Sequence, residues 1–205
     1  IRYKFMNIQN LGVIQVRSDS SRLPNKAMLD LGGIPLIGLM LKRLQYSRLI
    51  DKIVVATTIL KTDDVLTSYL KKSGFYVFRG SVNDVLNRVY EASKIFSPYS
   101  VIRLTGDCPM IDPNLIDDLI TLFHEKRADY ANLDKNFAEG LDVEIIRFNA
   151  LKICNKEAKL YSEREHITQY IIKNKNRFKL ISLRNEFDES NLRIVVDEQE
   201  DYLLV

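Results

Sequence analysis

The sequence predicts an α/β fold in three layers, with helices on both faces of a mostly parallel central sheet. Three observations predict it. Short β-branched runs alternate with helix-period stretches as far as Lys126, a βα unit repeated four times. The runs are apolar throughout, the pattern of strands buried on both faces, and so imply parallel pairing with right-handed crossovers. The chain has 205 residues, 46% of them apolar, enough for the core of one sizeable α/β domain.

The elements follow in order. LGVIQV is the first strand, and a helix runs from about Pro35, a residue that a first helical turn tolerates, to Ser47. KIVVATT comes next, followed by a helix from Thr62 to Lys72 whose start is capped by Thr62 and made acidic by Asp63 and Asp64, and which Gly74 closes. FYVF then precedes a helix over 83–95, and SVIRLT precedes one over 114–126. Beyond Asp129 the rhythm loosens. ADYANL and LDVEIIRF read as strands, EREHITQYIIKN as a helix, and FKLISL and NLRIVVD as the last strands. We expect a single domain over 1–205, with about 130–165 forming a smaller segment for dimer contacts and acceptor binding. EQEDYLLV stops in mid-pattern, so the natural protein is expected to extend past Val205, and Met6 is its expected start.

Composition narrows the function. With 30 Lys and Arg against 27 Asp and Glu, the charge is too balanced to indicate nucleic acid or an anionic membrane surface as partner. Cys108 and Cys154 form no CxxC or Cys/His pattern, which speaks against zinc and a disulfide framework and fits a reducing cytoplasm. No apolar stretch approaches the roughly 20 residues of a membrane span.

In an open parallel sheet ligands bind beyond the carboxyl ends of the strands, so the chemistry is sought there. VRSDSSRLPNK, residues 16–26, sets Arg17, Ser20, Ser21, Arg22 and Lys26 behind the first strand. Hydroxyls, backbone N–H groups and three cations can surround a polyphosphate. This is not a Walker A loop, since GxxxxGK[ST] is absent. Alone it would read as a solvated basic turn; its position favours function. VIRLTGDCPMIDP delivers Asp107 at a strand end, where a single carboxylate suits Mg²⁺ shared with substrate phosphates, or simply makes a turn. NLRIVVDEQEDY repeats that arrangement with Asp197 at the end of the last strand, where a helix N-cap is the plainer reading. VFRGSVNDVLNRVYEA places Gly80 and Ser81 after a strand, with Asp84 and Arg88 one helical turn apart to hold a base or ribose, or to form a surface ion pair.

In this order the stretches resemble the cytidylyltransferases that activate acidic sugars, the CMP-3-deoxy-manno-octulosonate and CMP-sialate synthetases. The resemblance is nearer to the branch called spore coat polysaccharide biosynthesis protein F. It spans nearly the whole chain: RSDSSRLPNK at 17–26, LGGIPLI at 31–37, IVVATT at 53–58, FRGSVNDVLNR at 78–88, RLTGDCPMIDP at 103–113, EGLDVEI at 139–145, EREHIT at 163–168 and VDEQED at 196–201. It implies a Rossmann-like fold of the nucleotide-diphospho-sugar transferase type and a cytoplasmic, homodimeric enzyme of polysaccharide or glycan biosynthesis. That enzyme would move CMP from CTP to an acidic, ulosonic-type sugar with Mg²⁺ as cofactor. Arg17, Ser20, Arg22 and Lys26, with Ser21 in the same loop, would hold the phosphates. Ala56, Thr57, Gly80 and Ser81 would surround cytosine and ribose, with Asp84 beside them. Asp107 and Asp197 would hold Mg²⁺, and Glu139, Asp142, Glu144, Arg164 and His166 would face the sugar.

Two positions depart from that family. Asn25 stands where a glycine is usual before the lysine, and Asn tolerates positive φ better than most residues. Asp19 replaces a loop glycine and must point outward or pair with a cation to spare a polyphosphate. Two other classes remain in view. A nucleotide-sugar-dependent glycosyltransferase would need a DxD, for which Asp142-Val143-Glu144 is a poor stand-in; a non-catalytic nucleotide-binding homologue would not need both Asp107 and Asp197.

Overall fold

The computed structural model describes residues 8–205; the proposed start at Met6 lies outside the described residues. Nine strands and eight α-helices are found among them: β1 (Asn10–Gln15), β2 (Asp30–Leu31), β3 (Ile34–Pro35), α1 (Leu36–Leu44), β4 (Lys52–Thr58), α2 (Asp64–Lys72), β5 (Tyr76–Gly80), α3 (Val85–Lys94), β6 (Ser100–Thr105), α4 (Pro113–Lys126), β7 (Tyr130–Leu133), β8 (Val143–Arg147), α5 (Phe148–Glu157), α6 (Tyr161–Glu165), α7 (Gln169–Lys173), β9 (Leu180–Leu183) and α8 (Gln199–Leu204). Seven strands form one sheet in the order β5-β4-β1-β6-β8-β7-β9, and β2 with β3 makes a separate small hairpin. Every pairing in the large sheet is parallel except the two made by β8.

The apolar strands are covered on both faces. Ile14 and Ile102 pack with Met40, Leu66 and Phe123 from α1, α2 and α4. Leu11, Val13 and Val54 pack with Leu86, Leu151 and Ile171 from α3, α5 and α7. Burial from both sides is what the unbroken apolar runs demand. Registration then sets the working edge. Gln15 at the end of β1 lies beside Ala56 in β4 and Thr105 in β6, so the segments leaving these three strands emerge at one level. Gly106 makes their approach possible: a Cβ there would come 2.6 Å from the Val16 side chain.

Three expectations are corrected. NLRIVVD joins no ladder: its extended chain lies against a loop, with the Ile194 N–H on the Glu139 carbonyl, the Val196 N–H on the Asp107 carbonyl, and a single bridge from Glu139 to Arg193. EREHITQYIIKN breaks into α6 and α7 because the chain turns at His166 (φ −101°, ψ 89°), which sends Ile167 into the core. LDVEIIRF supplies the expected strand, β8, inside the sheet between β6 and β7. The residue preceding α2 is Asp63 rather than Thr62, and the Asp63 carboxylate is used elsewhere.

Candidate active site

The loop after β1 is fixed from below by Asp63. This fully buried carboxylate accepts the Ser18 N–H at 2.7 Å, the Thr57 hydroxyl at 2.8 Å, the Thr58 N–H at 3.0 Å and the Thr58 hydroxyl. Burial alone would raise its pKa, but these donors hold it below the ordinary value. The Ser18 carbonyl in turn accepts the N–H groups of Ser20 and Asn25, and Asn25 sits at φ 56°, the conformation expected where Asn replaces Gly. Asp19 is exposed, the outward placement that spares the site.

Lys26 is buried and bonded to both proposed metal carboxylates, with Nζ 3.0 Å from Asp107 and 2.5 Å from Asp197; Arg22 reaches Asp197 at 2.7 Å. Burial pushes the Asp107 carboxyl upward, but the Lys26 charge together with hydrogen bonds from Lys26 and Thr105 leaves it below its usual range. Asp197 does not cap α8. That cap is Glu198, while Asp201 accepts the N–H groups of Asp197 and Glu198 and binds Arg193. The Asp197 carboxylate thus serves no cap and is joined to Asp107 through Lys26.

Two cavities meet at this pair. The first, about 420 Å³, is lined by Arg17, Ser20, Ser21, Arg22, Lys26, Asn83, Arg88, Tyr161 and His166, among others. The second, about 550 Å³, is lined by Asn132, Asp134, Lys135, Glu139, Asp142, Glu144 and Ser190, among others. Arg103, Thr105, Asp107 and Asp197 belong to both. All the loop residues singled out in the sequence thus share one cavity, and Glu139, Asp142 and Glu144 share the other.

The remaining candidates fall elsewhere. Ala56, Thr57, Gly80, Ser81 and Asp84 line neither cavity. Thr57 serves Asp63; the Ser81 hydroxyl accepts the Asp84 N–H, and Asp84 caps α3 and binds Arg164 at 2.6 Å. Arg164 is further held by Asn155, so it braces α3 against α5 and α6 and lines neither cavity. His166 opens onto the first cavity and not the second. The Asp84–Arg88 surface pair does not form; Arg88 is 3% exposed and donates through Nη1 to the Ser81 carbonyl at 2.6 Å.

Two residues outside the original set, Asp63 and Arg103, prove central, and Arg88 keeps its place at the first cavity while Asp84 does not. Asp63 had a signal in its two preceding threonines at the end of β4, but its partner Ser18 is 45 positions away. Arg103 interrupts the apolar run of β6; it pairs with Glu144 and contacts Gln15 at 3.2 Å between the cavities. Arg88 is shifted below the ordinary guanidinium value by burial and by the nearby charge of Arg17. For a metal, the donor set offers two carboxylates and no larger cluster of His, Cys, Asp and Glu among the described residues. That set fits Mg²⁺, which takes few protein carboxylates and fills its shell with phosphate oxygens and water.

Comparison with known proteins agrees with this geometry. A family model described as Cytidylyltransferase matches residues 11–202. Spore coat polysaccharide biosynthesis protein SpsF of Bacillus subtilis is 33% identical over 199 residues, covering 94% of this chain and 82% of SpsF. The structure of a cytidylyltransferase from Leptospira borgpetersenii superposes with a TM-score of 0.90 at 37% identity, covering 95% of this chain and 84% of that one. At 15% identity, where only the fold is compared, a CMP:2-keto-3-deoxy-manno-octonic acid synthetase complexed with CTP matches with a TM-score of 0.69 over 96% of both chains.

Proposed function

The chain belongs to the cytidylyltransferase family, and from that premise we propose that it transfers CMP from CTP to a hydroxyl of an acidic, ulosonic-type sugar, releasing pyrophosphate. The observation that carries this reading is the meeting of a cation-lined and a carboxylate-lined cavity at Asp107 and Asp197. A triphosphate suits the first and a polyhydroxylated ring the second, which sets the acceptor hydroxyl beside the α-phosphorus.

Arg17, Arg22 and Lys26 bind and orient the phosphates and neutralise the charge that grows on the leaving pyrophosphate. The Asp63 network holds their loop in one shape before substrate arrives, so little reorganisation is left for the reaction itself. Asp107 and Asp197 would hold Mg²⁺, whose contribution when bound is to polarise phosphate oxygens. Glu139, Asp142 and Glu144 accept hydrogen bonds from sugar hydroxyls and fix the acceptor ring. His166 opens onto the nucleotide side rather than the acceptor side.

The buried, unpaired Cys108 and Cys154 support a reducing, cytoplasmic setting. A homodimer remains our expectation from the family resemblance, and sedimentation velocity at micromolar concentration tests it. The decisive assay offers CTP, with ulosonic acids, neutral sugars and sugar phosphates as acceptors, and reads pyrophosphate. Pyrophosphate with a CMP-sugar is the expected result; release of a nucleoside diphosphate, or no turnover of CTP with any acceptor, overturns the proposal.

A further inference from the structure

Arg103 stands in a strand that is otherwise apolar at its centre. Its neighbours Ile102 and Leu104 in β6 are fully buried, and the register sets it beside Val13 of β1 and opposite Glu144 of β8. A guanidinium is unfavourable there unless its donors are met. Two of its nitrogens are: Nε donates to Gln15 Oε1 at 3.2 Å, and Nη1 donates to Glu144. The other Glu144 oxygen accepts the hydroxyl of Tyr130, whose pKa is pushed up by burial and by the Glu144 charge, so that it stays a donor. The guanidinium is thus clamped from both sides.

Its third nitrogen is left over. Nη2 makes no hydrogen bond among the described residues, and unlike Arg88 Nε it is not closed off from water. Among the residues that line both cavities, Arg103, Thr105, Asp107 and Asp197, it belongs to the one cation. Gln15, on one side of that cation, lines the nucleotide cavity, and Glu144, on the other, lines the acceptor cavity. We infer that Arg103 is a catalytic residue of the transfer, its Nη2 donating to a non-bridging oxygen of the α-phosphoryl group as that group passes from one cavity to the other. The inference rests on the proposed reaction. In it the acceptor hydroxyl oxygen bonds to the α-phosphorus, the bond from that phosphorus to the bridging oxygen breaks, the electron pair of that bond leaves with pyrophosphate, and the hydroxyl proton passes to water. A planar guanidinium already held on two sides meets the charge on the α-phosphoryl oxygens without reorganising. Arg17, Arg22 and Lys26 serve the group that leaves, and Arg103 serves the group that is transferred.

The test combines equilibrium binding with turnover. It uses Arg103→Met, which removes the charge, and Arg103→Lys, which keeps a cation opposite Glu144 and takes over if the first variant misfolds by circular dichroism. CMP binding should weaken by about 10-fold or more, the loss of one charge-assisted contact, while cytidine binding stays as in the wild type. The kcat for pyrophosphate release should fall by about 10²-fold. The two α-thio diastereomers of CTP give a readout that a structural role would not move: the wild type should turn over one more slowly than the other, and this preference should shrink in the variants. Glu144→Gln separates contact from positioning, since Arg103→Met should still lower kcat in that background. An absent or unchanged diastereomer preference, equal weakening of CMP and cytidine, or no further loss in the Glu144→Gln background would each overturn the inference and leave Arg103 as a brace for Glu144. A wild type that releases no pyrophosphate from CTP with any acceptor, while CMP affinity still depends on Arg103, would count against the transfer reaction and for the contact.

Discussion

On one side of Asp107 and Asp197 the lining is cationic, with Arg17, Arg22, Lys26 and Arg88; on the other, Asp134, Glu139, Asp142 and Glu144 face only Lys135 and the shared Arg103. The two sides also differ in how far their charges are already paired. Glu144 is bonded to Arg103 and Tyr130, and Glu139 to Arg193, so these acceptors are fixed in place. On the nucleotide side Lys26 and Arg22 are engaged, among the described residues, only with the two central aspartates, contacts that an incoming triphosphate can replace. One side is a rigid set of acceptors for a neutral ring bearing hydroxyls, and the other a store of positive charge for a polyanion. The aspartates between them answer to both.

The largest effect is therefore expected at that boundary. Asp107→Asn and Asp197→Asn each keep size while removing the charge that a divalent cation requires, and each should lower kcat by about 10²-fold or more. The double variant should lose far less than the product of the two, because groups acting as a unit are not additive. Glu198, not Asp197, caps α8, so a cap role cannot shelter Asp197→Asn. Wild-type turnover in that variant would erase the boundary on which the comparison stands.

Next in size is Lys26. Its ammonium lies between the two carboxylates, where a metal shared by both would have to bind. Lys26→Met should therefore weaken CTP binding by about 10-fold or more, the loss of one charge-assisted contact. It should also tighten Mn²⁺ binding to the nucleotide-free protein, read by electron paramagnetic resonance. If Mn²⁺ affinity is unchanged or falls, Lys26 does not compete for the metal position.

The rigid floor under the cation loop gives a smaller effect. Asp63→Asn replaces an acceptor of four hydrogen bonds with a group that must also donate, and should destabilise the protein by ~1–3 kcal/mol while raising the KM for CTP more than that for the sugar. The pH dependence has a definite sign. Because the folded protein holds Asp63 below its ordinary pKa, its contribution is complete above about pH 4, where the unfolded side chain is ionised, and fades as pH falls through the folded value. Thermal unfolding from pH 6 to pH 3 should show a shallower acid slope in Asp63→Asn than in the wild type; equal slopes would remove Asp63 from the account.

What was legible in the sequence divides along physical lines. The βα order and the cation loop could be read because strand periodicity, apolar runs and turn residues are local signals, and SVIRLT coincides with β6. Ala56, Thr57, Gly80, Ser81, Asp84 and Arg164 line neither cavity, a distinction that sequence does not carry because the same residue types line a cavity and pack beside it. Only the contacts Thr57–Asp63 and Asp84–Arg164 tell them apart, and the second spans 80 positions. NLRIVVD looked like a strand because Val195 and Val196 are buried, but burial does not supply a ladder partner. The burial of Arg88 and its unpaired Nε were not legible, since an i,i+4 Asp/Arg spacing reads alike as a pair holding a base or ribose and as a surface ion pair.

The smallest expected effect tests the carboxylate-rich side. A sugar acid needs a cation for its own carboxylate, and Arg103 is already committed to Glu144, which leaves Lys135 at the exposed rim of the second cavity. Exposed ion pairs contribute only about 0.2–1 kcal/mol, so Lys135→Ala should raise the KM for a ulosonic acid by roughly two- to fivefold and leave kcat and the KM for CTP as they are. The effect should shrink further at 0.5 M salt, where exposed charges are screened within about 4–5 Å. A neutral sugar of the same ring should not notice the change. If Lys135→Ala leaves the KM for every accepted sugar acid unchanged at low salt, the carboxylate is bound elsewhere or the natural acceptor has none. The excess of acceptors on this side would then mark a neutral polyol as the partner of the cationic one.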